Sequence, residues 1–199
     1  MTWASAESPK SADVQIDPWQ GKSPIPVQDG LIHDWVARAE APGATVQKAL
    51  EVFQNYPAYK KIFTPDILES ELLSKEGSVW RPRLRIQRKN VFTVVLDTEY
   101  AVEYRPVADR QAIMSRSTRV SEVDNGKLLA PGTGSGFLWR LNTYWLLTPH
   151  PGGLLIECRS ISLSRDIPMG LGWIVKPMVS SVPRDSLRDT VEELRRALR

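Results

Sequence analysis

The stretch from residue 170 to residue 199, GLGWIVKPMVSSVPRDSLRDTVEELRRALR, decides the architecture of the chain. Apolar residues recur in it at the spacing of one face of an amphipathic helix: Ile174, Met178, Val182, Leu187, Val191, Leu194 and Leu198. Pro183 and Asp185 suit the first turn of a helix, whereas Pro177 predicts a kink or a short first helix from Leu171 to Ser181. We therefore expect a long C-terminal helix whose apolar face the rest of the chain must cover.

The chain between residues 66 and 165 has strand character almost throughout. Six segments of alternating residues, separated by turn residues, are predicted as strands: Ile67–Ser74, Ser78–Lys89, Val91–Tyr104, Gln111–Glu122, Ser135–Thr148 and Leu154–Arg165. A first strand, Leu31–Glu40, precedes them, and Val46–Phe53 and Ala58–Phe63 predict two short helices after it. Because the links are short, neighbouring strands should run antiparallel. The sequence predicts an α+β fold in which a curved, seven-stranded antiparallel sheet wraps the long C-terminal helix, with two short helices between strands 1 and 2.

Length and composition restrict the classes of function. The 199 residues are most simply one domain, with residues 1–28 as an irregular N-terminal tail and residues 29–199 as the folded part. The net charge of +3 comes from intermixed basic and acidic residues, so no nucleic-acid partner is expected. No apolar run approaches the roughly 18 residues of a membrane span. Cys158 is the one cysteine, which excludes an intramolecular disulfide and a cysteine-rich metal site; we expect neither a metal nor a cofactor.

The compartment and the oligomeric state stay open at this point. No signal peptide is visible in the sequence. The protein could therefore be cytoplasmic, or exported after removal of a leader that this chain does not contain.

Charged residues follow one face of three consecutive predicted strands. Glu69 and Glu71 belong to the first of these strands. The second supplies a basic row and the third an acidic row: Arg81, Arg83, Arg85 and Lys89, then Asp97, Glu99 and Glu103. Alternating rows of this kind on a solvated sheet face favour cross-strand ion pairs, and an anion-binding patch is the alternative.

The order of one strand, two short helices, six strands and a long C-terminal helix resembles that of the START-like (SRPBCC) superfamily, in particular its polyketide cyclase/dehydrase and lipid-transport branch. Four segments carry the resemblance: the helix pair Val46–Tyr59, Ser117–Val120, Phe137–Arg140 and Ile161–Arg165 leading into the terminal helix. The resemblance covers residues 29–199. It implies the helix-grip fold, in which a hydrophobic ligand cavity lies between the sheet and the C-terminal helix.

Aromatic residues on the strand faces that we assign inward are the candidates for lining such a cavity: Trp35, Trp80, Tyr100, Tyr104, Trp139 and Trp145. Plain core packing explains buried aromatic rings equally well.

Charged residues on the last predicted strand form a second candidate group. Glu157 and Arg159 share a face with Leu155, Ile161 and Leu163, and we expect this face to meet the helix. Charges on an apolar face are costly unless they are paired or hydrated. Arg119 could approach them, although its strand can be read in two phases. We favour a buried structural ion pair; a polar spot that orients a ligand head group is the alternative.

These residues leave three hypotheses for the function. The first is binding or transport of a hydrophobic small molecule, such as a lipid, a polyketide or an aromatic compound, in the internal cavity. The second is a cyclase/dehydrase-type enzyme in which His33 or Glu157 acts as acid or base. The third is an interaction module whose cavity is filled by its own aromatic rings. Because no motif dictates a reaction, we favour a binder over an enzyme.

Overall fold

The structure, a computed structural model, describes residues 13–89, 93–135, 138–166 and 172–199, and of residues 172–180 only the backbone. The strands are β1 (Gln15–Pro18), β2 (Ile25–Val27), β3 (Gly30–Pro42), β4 (Ile67–Glu76), β5 (Val79–Lys89), β6 (Thr93–Val107), β7 (Arg110–Asp124), β8 (Lys127–Leu128), β9 (Arg140–His150) and β10 (Gly153–Arg165). The helices are α1 (Val46–Gln54), α2 (Tyr59–Ile62) and α3 (Gly172–Ala197), with a 3₁₀ turn at Tyr56–Ala58.

The strands form one antiparallel sheet in the order β1-β3-β10-β9-β7-β6-β5-β4. β2 also pairs with β3, and β8 pairs with β7. The seven predicted strands correspond to β3 to β7, β9 and β10, and the two short helices lie between β3 and β4 as predicted. The antiparallel sheet with a long C-terminal helix, which is the arrangement of the helix-grip fold, is therefore confirmed.

Three short strands, β1, β2 and β8, go beyond the seven that the sequence predicts. β1 and β2 lie between residues 13 and 28, where the sequence predicts an irregular tail, and both pair with β3. The sequence does not predict β1 and β2 as strands, because β1 contains Pro18, β2 contains Pro26, and proline is unfavourable within sheets. The two strands cover backbone groups of β3 that would otherwise form an open sheet edge.

Two predicted boundaries also change. β9 begins at Arg140 rather than Ser135, because Gly132 and Gly134 adopt positive φ angles of 78° and 86° in the turns before it. α3 is one continuous helix, so of the two predicted alternatives, a kink or a separate short first helix, the second is wrong. Pro177 removes one backbone hydrogen bond, but the helix continues through it. Residues 91–92 of the predicted fourth strand and residues 136–137 of the predicted sixth lie outside the described residues.

Two contacts hold the N-terminal turn of the short helix α1. The Thr45 hydroxyl accepts a hydrogen bond from the Lys48 backbone N–H at 3.1 Å, which caps the helix. The Lys48 ammonium donates to the backbone oxygens of Leu198 and Arg199 at 2.8 and 2.9 Å. This contact joins α1 to the C-terminal end of α3, where a cation is favoured by the helix dipole.

The apolar face of α3 packs on one face of the sheet, which we call the inner face. Leu187, Val191, Leu194 and Leu198 are at most 4% exposed. They belong to the same core as three alanines of β3, Ala37, Ala39 and Ala41, and three residues of β10, Leu154, Ile156 and Cys158. The small alanine side chains leave room for the helix to approach β3, where its contacts concentrate. This packing separates the inner face from the outer face of the sheet.

The outer face carries the predicted ion pairs. Asp97 is 1% exposed and accepts hydrogen bonds from the guanidinium groups of Arg83, Arg85 and Arg119. Arg83 also donates to Glu71 at 2.8 Å, and Arg85 donates to Glu69 at 2.9 Å. The cross-strand interpretation of these charged rows is confirmed.

A β-bulge explains why the sequence of β7 can be read in two phases. Glu99 of β6 pairs with Arg119, but the next residue, Tyr100, pairs with Ser117, so Thr118 is the extra residue. Each phase is therefore correct on one side of the bulge. As a result Arg119 lies on the outer face, while Ser115 lies on the inner face.

Candidate functional site

A cavity of about 300 Å³ lies between the inner face of the sheet, the short helices and α3. Its wall is rich in aromatic side chains: Phe53, Tyr56, Tyr59, Phe63, Tyr100, Tyr104 and Trp145. Aliphatic residues from β5 and β6, among them Leu84, Leu96 and Val102, and the α3 residue Leu187 add to this lining. The arrangement suits an apolar occupant, because apolar surface gains free energy when it leaves water.

Three tyrosines join the cavity wall to the end of α1. The Phe53 backbone oxygen accepts hydrogen bonds from the Tyr59 and Tyr104 hydroxyls at 2.7 and 2.9 Å, and the Tyr56 and Tyr104 hydroxyls are 2.7 Å apart. This carbonyl lies in the last turn of α1, where helical carbonyls lack partners within the helix. Burial raises the pKa of Tyr56 to about 12 and that of Tyr104 far above its ordinary value. The aromatic part of the wall is therefore uncharged.

A row of hydrogen-bonding side chains crosses the inner face of the sheet. Ser115 of β7 pairs with Thr143 of β9, Thr143 pairs with Ser160 of β10, and Ser162 of β10 pairs with His33 of β3. All five residues line the cavity. We call this set the polar strip.

His33 is the most buried member of the polar strip, with 2% of its surface exposed. Its Nε2 is 3.0 Å from the Ser164 hydroxyl, and that hydroxyl donates to the Arg165 backbone oxygen at 3.3 Å. Its Nδ1 is buried without a hydrogen-bond partner among the residues that the structure describes. Burial lowers the pKa of His33 to about 4, so the imidazole is neutral at neutral pH.

A charged group lies where the cavity wall meets solvent at α3. The Arg88 guanidinium is 2.8 Å from the Asp66 carboxylate and 3.1 Å from Asp189, whose side chain is 47% exposed. Asp66, Arg88 and Glu193 line the cavity. Burial raises the pKa of Asp66 and of Glu193. The group holds three carboxyls around one guanidinium, so it offers little attraction to an anion.

The predicted aromatic residues divide into two sets. Tyr100, Tyr104 and Trp145 line the cavity. Trp35 and Trp80 pack partly buried against the core without lining it. Trp139 precedes β9 and lies outside the cavity lining, with its ring close to Gly30.

The predicted face of Glu157 and Arg159 is wrong. Both lie on the outer face of β10, since the inner face is the one that carries Leu154, Ile156 and Cys158. Glu157 accepts a hydrogen bond from Arg38 at 3.1 Å, which confirms the structural ion pair with a partner that the sequence did not indicate. Arg159 forms two hydrogen bonds to Asp34, at 2.9 and 2.7 Å, and lies 4.2 Å from the Trp19 ring.

The serines of the polar strip were not predicted from the sequence. The sequence signal for these serines lies in β10, where every second residue is first apolar and then serine: Leu154, Ile156 and Cys158 are followed by Ser160, Ser162 and Ser164. Both faces of β10 carry apolar residues, so alternation alone does not identify the inner one. Arg119, Glu157 and Arg159 are thus separated from the cavity, whereas His33 lines it.

The described residues provide neither a metal-binding cluster nor a membrane-spanning helix. Among the described residues, no cluster of three or more His, Cys, Asp or Glu side chains could hold a metal ion. Nor does any helix in the described part of the chain have both the length and the apolar character needed to cross a membrane.

Comparison with known proteins identifies relatives by structure rather than by sequence. No protein-family model matches the chain, and no curated protein matches it in sequence. Among solved structures, a fragment of the STAR-related lipid transfer protein from Xanthomonas axonopodis has a TM-score of 0.55 at 20% identity, covering 87% of this chain and 96% of that one.

Two other solved structures are similar to this chain in fold. Human STARD10 has a TM-score of 0.58 at 9% identity, covering 87% of this chain and 71% of its own. The di-domain ARO/CYC protein StfQ from the steffimycin biosynthetic pathway has a TM-score of 0.58 at 11% identity, covering 86% of this chain and 50% of its own. These structures share their fold with this chain, so the helix-grip fold expected from the sequence is confirmed.

Proposed function

We propose that this protein binds a hydrophobic small molecule in the cavity between the sheet and α3, and carries it without transforming it. The observation that supports this proposal best is the cavity itself, about 300 Å³ in volume with a wall of aromatic and aliphatic side chains. This volume is at the lower end of the range for small-molecule sites. A compact ligand therefore fits the cavity better than a lipid with two long chains.

Proteins with the same fold include a STAR-related lipid transfer protein, whose name agrees with a carrier, and an ARO/CYC protein, whose name agrees with the enzyme alternative. Their identities to this chain, 20% and 11%, relate them to it by fold. The choice between a carrier and an enzyme therefore depends on the residues of this cavity.

Those residues favour a carrier. A general base works best when its pKa is near the operating pH, whereas His33 has a pKa of about 4 and is a weak proton acceptor. Glu157, the other candidate acid or base, is engaged by Arg38 on the outer face. The interaction-module hypothesis also loses support, because the aromatic rings line the cavity without filling it.

Native mass spectrometry of the purified protein tests the proposal directly. The same sample, denatured and extracted with organic solvent, supplies the mass of the bare chain. We expect an adduct in the native spectrum that is lost on denaturation and recovered as an apolar compound in the extract.

A fluorescent apolar probe, N-phenyl-1-naphthylamine, tests whether the cavity is the binding site. Ser115→Phe places a ring into the cavity, and we expect it to weaken probe binding by about tenfold or more, given the usual cost of overpacking. Thr118→Phe is the matched control, because Thr118 lies on the same strand but is exposed. Equal binding by the wild type and Ser115→Phe would remove the cavity as the site.

A further inference from the structure

The polar strip gives the cavity a chemical preference that its apolar wall lacks. Residues directly opposite each other on antiparallel strands have Cβ atoms about 4.5–5.5 Å apart, so Ser115, Thr143 and Ser160 place three hydroxyl groups in one line across three strands. Ser162 and His33 lie beside this line, on the neighbouring pair of positions. Leaving such a row without hydrogen-bond partners inside an otherwise apolar cavity costs free energy, because buried polar groups require such partners.

The hydrogen bonds within the strip leave part of its capacity unused. The Thr143 hydroxyl oxygen accepts from the Trp145 indole N–H at 3.2 Å, which leaves the hydroxyl hydrogen to be donated. The Ser164 hydroxyl donates to the Arg165 backbone oxygen, so it accepts from His33 Nε2. The neutral imidazole then carries its hydrogen on Nε2, and the buried Nδ1 is an acceptor without a partner among the described residues.

The charges around the cavity oppose an anionic ligand. The members of the polar strip are uncharged at neutral pH, since burial lowers the pKa of His33 to about 4. Among the described residues the cavity wall contains one guanidinium, that of Arg88, which is already shared between Asp66 and Asp189, and Glu193 adds a further carboxyl beside them. An ionised carboxylate in the cavity would therefore be desolvated with no unshared cation from this part of the chain to pair with it.

We infer that the cavity selects an uncharged apolar molecule that bears a hydroxyl group, such as an alcohol or a phenol, and that this hydroxyl hydrogen-bonds to the polar strip. This inference rests on the proposed binding function and narrows its ligand class. A hydroxyl both donates and accepts, so it matches a strip that offers serine and threonine hydroxyls together with a bare imidazole nitrogen.

Three small probes of similar shape separate the contribution of a ligand hydroxyl from those of its apolar rings and of a negative charge. 2-Naphthol carries the hydroxyl, 2-methylnaphthalene replaces it with a methyl group, and 2-naphthoate replaces it with a carboxylate. Their affinities are measured by isothermal titration calorimetry at pH 7 for the wild type, the double variant Ser160→Ala/Ser162→Ala, and Ser121→Ala. Ser121 is the control, because it is a buried serine that does not line the cavity.

The decisive quantity is the ratio of the 2-naphthol and 2-methylnaphthalene affinities, because it cancels effects that both probes share. We expect this ratio to fall about tenfold in Ser160→Ala/Ser162→Ala, the factor for one lost hydrogen bond, and to be unchanged in Ser121→Ala. 2-Naphthoate should bind the wild type at least about a hundredfold more weakly than 2-naphthol.

The outcomes distinguish the two proposals. If the wild type and the double variant show the same ratio, or if 2-naphthoate binds as well as 2-naphthol, the hydroxyl preference is wrong while the binding function stands. If none of the three probes binds, both the preference and the proposed binding function for compact ligands fail. Because serine-to-alanine changes remove one atom each, circular dichroism should show that the double variant is folded.

Discussion

His33 should make the stability of this protein depend on pH in a window set by its burial. In an unfolded chain the imidazole has a pKa near 6.5, whereas burial in the cavity wall lowers the pKa of His33 to about 4. Between these values the unfolded chain binds a proton that the folded protein excludes, so stability rises with pH across the window. The stabilisation is complete above pH 6.5 and is lost as the pH falls towards 4. The change in pKa corresponds to roughly 3 kcal/mol.

A matched variant isolates this contribution from all other titrating groups. His33→Phe keeps a planar ring at the same position and removes the proton-binding nitrogens. The free energy of unfolding is measured by urea denaturation of both proteins at pH 7 and at pH 4. We expect the wild type to lose roughly 3 kcal/mol more than the variant between the two conditions. His150 and the carboxylates are present in both proteins, so their contributions cancel in this comparison.

One result would refute the reasoning. If the two proteins lose the same free energy between pH 7 and pH 4, the imidazole can accept a proton in the folded state at little cost. His33 would then be hydrated, and the neutral polar strip that we infer for the cavity would be wrong at this position. Nuclear magnetic resonance gives an independent reading, since the His33 ring signals should titrate well below pH 6.5 in the folded protein.

Three further predictions concern contacts that hold the fold together, and each is measured as a change in the free energy of unfolding. Leu194→Ala should cost about 3 kcal/mol, because it leaves a void in the core between α3 and the sheet. Its control is Arg196→Ala on the exposed side of the same helix, which should change stability by less than about 0.5 kcal/mol. Arg38→Ala should cost about 3–5 kcal/mol, because it leaves the buried Glu157 carboxylate unpaired, and the double change Arg38→Met/Glu157→Leu should recover most of this loss. Tyr104→Phe should cost about 1–2 kcal/mol, because it removes the hydroxyl that connects Tyr56 to the end of α1; a neutral effect would mean that this hydroxyl is solvated.

Local patterns in the sequence were enough to predict the main elements of the fold. The apolar spacing from Leu187 to Leu198 identifies the face of α3 that is buried. Thr45 identifies the start of α1, where its hydroxyl caps the helix. Short turns between alternating segments identify the antiparallel neighbours. These features depend on residues close together in the chain, and their physics is local.

The faces of individual strands were harder to predict, because they depend on what covers them. Leu155 and Leu163 look like core residues, but they lie on the outer face of β10, with Glu157 and Arg159 between them. Glu157 is stabilised there by Arg38 of β3, more than a hundred residues earlier in the chain. The phase of β7 depended on a bulge opposite Tyr100. In these strands, pairing between residues far apart in the chain determines which face each side chain lies on. No local sequence pattern reveals that pairing.

The two edges of the sheet are protected by different means. At one edge, β1 pairs with residues 35–38 of β3 and β2 pairs with residues 30–32. At the other edge lies β4, which is the last strand of the sheet order formed by the described residues and carries Glu69, Glu71, Lys75 and Glu76. Charged side chains on an edge strand discourage another chain from adding to it. The short segment of residues 15–27 thus reduces the risk of aggregation. Without it, β3 would be an open edge strand of thirteen mostly apolar residues, and a strand of a second molecule could pair with it.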